Sequence, residues 1–96
     1  MINPRVLPTL NGRDPMAIGY ILINTSPKKE YDVYQEIRKL EEVKDVTPLF
    51  GEYDIIAKIE MEDMRSIAHV VVDKIRKIPG VIDTKTLAGT SFDRDD

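Results

Sequence analysis

The chain has no cysteine, which removes disulfides, thiolate-held zinc, iron–sulfur clusters and thiol catalysis together. It has one histidine, His69, set between Ala68 and Val70, where a surface or interface side chain accounts for it more simply than an acid/base catalyst does. Long apolar runs are missing: stretches such as Ile21-Leu22-Ile23 and Val70-Val71-Val72 fall far short of the ~20 residues of a membrane helix. A positive surplus is missing too. With 14 Lys+Arg against 17 Asp+Glu the net charge is −3, whereas phosphate contacts call for a basic face. Only Tyr20 and Tyr53 are placed to stack on bases, so RNA recognition is not supported. Direct nucleic-acid binding and membrane insertion are therefore not expected, and a cytoplasmic location is.

What is present is one small domain. Ninety-six residues, 42% of them hydrophobic, make a single core, and a domain of this size hides only ~60–70% of its unfolded surface. Self-association would add to that burial. Residues 1–15 hold three of the six prolines and one of the five glycines in no steady period, and read as an extended arm. Its Val6, Leu7 and Leu10 are free to dock on a partner subunit. The folded domain is expected at 16–90, followed by an acidic tail at 91–96.

The run from Met16 to Thr25 alternates as a strand, Ile18, Tyr20 and Leu22 facing one way and Gly19, Ile21 and Ile23 the other. Both faces are apolar, so the second is expected to meet another sheet. Ser26-Pro27 reads as an N-cap and first helical position, starting a helix that runs to about Leu40 with Val33, Tyr34, Ile37 and Leu40 inward. Residues 43–50 read as a second strand, confined to a sheet edge by Pro48. A third runs from Tyr53 to Met61 after a turn at Gly51-Glu52. Met64, Ile67, Ala68, Val71, Ile75 and Ile78 repeat at helical spacing behind the acids Glu62-Asp63, until Pro79-Gly80. Val81 to about Thr90 is the fourth strand.

The order β-α-β-β-α-β carries an internal repeat. The segment from Lys39 to Gly51 aligns without gaps on that from Lys77 to Gly89, with Lys, Val, Asp, Leu and Gly coinciding. Two such halves give an α+β, ferredoxin-like βαββαβ sandwich, an antiparallel four-stranded sheet with both helices on one face. The open face is expected to pair with a second copy, as a dimeric α+β barrel.

Chemistry concentrates in Leu49-Phe50-Gly51-Glu52-Tyr53-Asp54. Backbone N–H groups at a Gly turn can grip a carboxylate, Asp54 or Glu52 can pair with an ammonium, and Tyr53 can wall a pocket. Those are the two ends of an amino acid. On the loop alone, a solvated acidic hairpin competes with that reading. Thr84 and Thr86 share one facing of the fourth strand, either as strand formers or as hydroxyl donors.

These stretches, with Tyr20-Ile21-Leu22-Ile23, the hairpin Gly51-Glu52-Tyr53-Asp54 and the close Lys77-Ile78-Pro79-Gly80-Val81 through Thr84-Lys85-Thr86, resemble the effector domain of Lrp/AsnC (feast/famine) transcription regulators. The resemblance spans Ala17 to Gly89. It implies a non-enzymatic domain that binds an amino-acid effector, requires no cofactor or metal, and pairs into homodimers that assemble as a ring of dimers. The implied ligand residues are Gly51, Glu52, Tyr53 and Asp54, with Thr84 and Thr86 supplied by a neighbouring subunit. Family regulators carry an N-terminal helix-turn-helix, for which residues 1–15 are too short, so the chain reads as a stand-alone effector module or a separated fragment of a regulator, expected to act by itself or with a full-length regulator. A small dimeric barrel enzyme using His69 or Tyr53, and a purely structural assembly partner, are the competing expectations.

Overall fold

The period-two burial of the first strand decides the layering. In a computed structural model, which describes residues 17–90, β1 (Ala17–Thr25) buries Gly19, Ile21, Ile23 and Thr25 and leaves Ile18, Tyr20, Leu22 and Asn24 half-buried. The covering elements are α1 (Glu30–Arg38), which buries Val33 and Ile37, and α2 (Met64–Val70), which buries Ile67 and Val70. A π-helical turn (Val71–Ile75) prolongs α2 and adds Val71 and Ile75 to the core. Its signature is the Arg76 N–H donating to the Val71 carbonyl at 2.8 Å, a five-residue bond.

The strands β2 (Val43–Pro48), β3 (Ile55–Met61) and β4 (Val81–Ala88) complete one antiparallel sheet of order β2-β3-β1-β4. Ile55, Ala57 and Ile59 face the helices beside Ile21 and Ile23, and these side chains with the helix residues form the core. The βαββαβ sandwich is therefore as expected, with both helices on one face. The dimeric α+β barrel is not: the sheet is open. Closure needs its two edges to pair, and β2 and β4 stand at opposite edges with β3 and β1 between them. Pro48 lies on an edge strand, where its missing N–H costs no ladder bond on the outer side.

The repeat is visible in the backbone. After α1, Leu40 N–H donates to the Ile37 carbonyl at 3.0 Å and Val43 N–H to Leu40 at 3.1 Å; after the π turn, Ile78 N–H donates to Ile75 and Val81 N–H to Ile78, each at 3.1 Å. The same turn thus delivers each helix into an edge strand. Ser26-Pro27 behaves differently from the expected cap. Lys29 N–H donates to the Ser26 carbonyl at 3.0 Å, with Lys28 at φ 71, so Pro27-Lys28 is the centre of a tight turn and α1 starts only at Glu30. The cause is tertiary. Ser26 N–H and Oγ both donate to the Gly80 carbonyl, at 2.8 and 3.3 Å, which commits Ser26 to the loop before β4. Gly80 sits at φ 104, with Val33 Cγ2 only 2.9 Å from where a Cβ would stand. The arm at 1–15 and the tail at 91–96 lie outside the described residues.

Candidate functional site

Residues 49–54 join β2 to β3, and the loop is tied down at its base. Leu49 N–H donates to the Asp54 carbonyl and Asp54 N–H to the Ile23 carbonyl, each at 2.9 Å. The Asp54 carboxylate completes the tie, its Oδ2 accepting from Thr25 N–H at 2.8 Å and from Thr25 Oγ1 at 3.1 Å. Thr25 is buried, 7% exposed. A charged acceptor there satisfies a backbone donor and a hydroxyl that would otherwise be stranded away from water. The far end of the loop is open. Gly51, at φ 119, has no atom within 4 Å of a notional Cβ; Phe50 and Glu52 are exposed and Tyr53 half-buried.

Gly51, Glu52, Tyr53 and Asp54 are thus gathered in one loop. Thr84 and Thr86 are not brought to it within the chain. They pair with Ile23 and Ile21 on β1, on the helix-side face, with Thr84 half-buried and Thr86 exposed. Ile23 and Ile21 pair in turn with Ile55 and Ala57 on β3, so two strand spacings, ~10 Å, separate each threonine from β3. His69 is exposed on α2. Among the described residues no group of His, Asp and Glu is arranged to hold a metal ion, and no helix is long and apolar enough to cross a membrane.

Beside the hairpin base is a hollow of about 340 Å³ lined by Glu30, Tyr31 and Tyr34 of α1, Pro48 of β2, and Asp54 and Ile55. The two tyrosine rings lie 6.4 Å apart and tilted by 33°, and the Arg38 guanidinium stands 5.6 Å from the Tyr34 centroid. Gln35 Nε2 donates to the Tyr31 hydroxyl. The sequence reading did not find Thr25, Tyr31 or Glu30 as neighbours of Asp54. The available signal was the Tyr31/Tyr34 spacing, which puts two rings on one helix side; nothing local marks Thr25 as the partner of Asp54. The perturbed acids lie elsewhere. Asp63 caps α2 by accepting from Ser66 N–H at 2.7 Å, and that bond holds its carboxyl below the usual range. Lys74 donates to Glu42 at 2.5 Å, lowering the glutamate and raising the lysine.

Residues 18–89 match the Lrp/AsnC ligand binding domain. The chain belongs to that family. An HTH-type transcriptional regulator of Pyrococcus abyssi is 32% identical over 78 residues, 78% of this chain and 51% of that protein. The chain spans about half the length of the curated relatives it matches. The crystal structure of a hypothetical protein of Pyrococcus horikoshii superposes with TM-score 0.72 at 31% identity, covering 81% of this chain and 94% of that one. A Neisseria meningitidis transcriptional regulator, solved as its L-Met complex, shares the fold at TM-score 0.75 and 21% identity, covering 93% of this chain and 59% of its own. Membership sets this Lrp/AsnC domain with the ligand-binding domains of transcription regulators and not with enzymes. In the Lrp/AsnC frame, the Gly51–Asp54 hairpin falls within the matched residues, as do Thr84 and Thr86.

Proposed function

We propose that this Lrp/AsnC domain is an amino-acid-responsive assembly module of a transcription-regulation system, acting in the cytoplasm. The observation that carries the reading is the hairpin itself: an open glycine turn whose base is locked to β1 by Asp54, within a chain matched to a ligand-binding domain over residues 18–89. The ligand's carboxylate is received by backbone N–H groups around Gly51, and its ammonium by Glu52 and by Asp54. Tyr53 walls the side chain. Thr84 and Thr86 of a neighbouring subunit complete the site, which explains why one chain keeps them apart from its own loop. The module works as a homodimer assembling into a ring of dimers, and it acts through itself or by joining a full-length Lrp/AsnC-type regulator. It makes no direct contact with nucleic acid. Methionine is the first effector to try, because the Neisseria regulator is an L-Met complex.

The test is thermal unfolding at fixed protein concentration with each of the twenty amino acids. A ligand that binds only the native assembly adds RT ln(1 + [L]/Kd), about 2.7 kcal/mol at a hundredfold excess. Asp54→Asn and Glu52→Gln, each compared with its own ligand-free midpoint, reduce that increment. No increment with any amino acid overturns the reading. A second reading has one observation in its favour: Asp54 already serves Thr25, as expected of an assembly partner that takes no ligand.

A further inference from the structure

Two hollows lie end to end between α1 and β2, and they share Tyr34. The first is the one beside the hairpin, lined by the carboxylate residues Glu30 and Asp54 together with Tyr31, Tyr34, Pro48 and Ile55. The second, about 290 Å³, is lined by Tyr34, Arg38, Val43, Lys44, Asp45 and Val46. Helix and strand run antiparallel here, so the groove has two different ends. Carboxylates stand at the start of α1, and at its finish stand Arg38 and Lys44, offset by one carboxylate, Asp45. Thr47 Oγ1 reaches Asp45 at 3.4 Å, and Arg38 donates to Gln35 at 3.4 Å. The middle is aromatic.

We propose that this groove binds a zwitterion longer than a free amino acid: a short extended peptide, its ammonium at Glu30/Asp54 and its carboxylate at Arg38/Lys44. Length argues for a peptide. Glu30 and Arg38 are eight positions apart on a helix, ~12 Å at 1.5 Å per residue, whereas the two charges of an α-amino acid flank one Cα. An extended chain advances ~3.3–3.6 Å per residue, so three or four residues span the ends. Recognition falls on the charged ends and the Tyr34 ring more than on strand addition. Although β2 is an edge strand among the described residues, its register shifts between Val43 and Asp45, and Pro48 has no N–H to offer. Apolar side chains of the peptide pack on Tyr31 and Pro48, both exposed. The groove shares Asp54 with the hairpin site and is otherwise built from other residues, so the two readings fail separately.

Titration calorimetry tests it with the tripeptide Leu-Ala-Ala in four forms: free, N-acetylated, C-amidated and doubly capped, with free leucine as the length control. The free tripeptide is expected to bind saturably, and each single cap to weaken it by about two- to fivefold, the worth of an ion pair between exposed groups. Because Asp54 and Lys44 remain at the two ends, Glu30→Gln is expected to reduce the effect of N-acetylation and Arg38→Gln the effect of C-amidation, each leaving any amino-acid response of the hairpin in place. Both side chains are exposed, and circular dichroism confirms the fold of each variant. Equal binding of all four peptide forms, or no binding of the free form at millimolar concentration, overturns the proposal.

Discussion

Replacing Asp54 by alanine is the sharpest probe of how the hairpin is held. The substitution removes the acceptor of two bonds, from Thr25 N–H at 2.8 Å and Thr25 Oγ1 at 3.1 Å, and strands both donors on a residue that is 7% exposed. A hydrogen bond to a charged group contributes about 1.5–3 kcal/mol, and a stranded buried donor costs about 1–3 kcal/mol. The hydroxyl can rotate toward another acceptor; the backbone N–H cannot. The expected loss is therefore about 2–4 kcal/mol for Asp54→Ala, and about 1 kcal/mol for Asp54→Asn, which keeps an acceptor but not its charge. Thr25→Val costs less than Asp54→Ala, since it removes one donor without stranding another. Urea unfolding at one protein concentration measures all three as shifts of midpoint at constant m. The double variant Thr25→Val/Asp54→Ala should cost less than the sum of its parts, because the two residues share a bond. An Asp54→Ala midpoint within about 0.5 kcal/mol of the parent would refute this account of the hairpin.

Two glycines with positive φ should respond differently to alanine. Gly51→Ala meets open space and bears only the left-handed strain of about 1 kcal/mol, whereas Gly80→Ala also drives a Cβ to 2.9 Å from Val33 Cγ2 and should cost about 2–4 kcal/mol; equal midpoints would contradict the packing described. Lys28→Gly should stabilise by about 0.5 kcal/mol by relieving the φ of 71, net of the entropy glycine adds to the unfolded chain; a loss in thermal midpoint would count against the turn at Pro27-Lys28. Asp63 and Glu42 both have carboxyls held below their ordinary values in the folded chain, by Ser66 N–H and by Lys74. Their contribution is present above the unfolded carboxylate range near pH ~4 and is lost as pH falls through the folded values. The acid limb of a stability–pH curve should accordingly be shallower in Asp63→Asn/Glu42→Gln than in the parent.

Periodicity made most of the fold legible. Alternation in Ala17–Thr25 reports a face covered by helices, and the repeat around Leu40-Val43 and Ile78-Val81 reports one local turn used twice. What depended on distant partners was not legible. Ser26-Pro27 carries a good helix-start signal, yet Ser26 is held by Gly80 across the fold and the helix waits until Glu30. The predicted second strand overran its end because Leu49 turns back to Asp54. Closure of the sheet was misjudged because two apolar faces on β1 say that the sheet has something to cover, but not whether its edges meet. Of the site, the hairpin was visible from Gly51 and its acids. The Asp54–Thr25 tie and the tyrosines of α1 come from segments far apart in sequence: the pairing of β1 with β3 brings Thr25 to Asp54, and the packing of α1 over β2 and β3 brings the tyrosines beside them.

The central claim, that the domain couples amino-acid binding to assembly, is tested most directly by native mass spectrometry of the purified chain with and without a mixture of the twenty amino acids. The account predicts an even-numbered assembly of dimers that gains amino-acid mass or changes subunit number when the mixture is added, with both effects reduced in Glu52→Gln. A chain that keeps the same subunit number and gains no mass would contradict it.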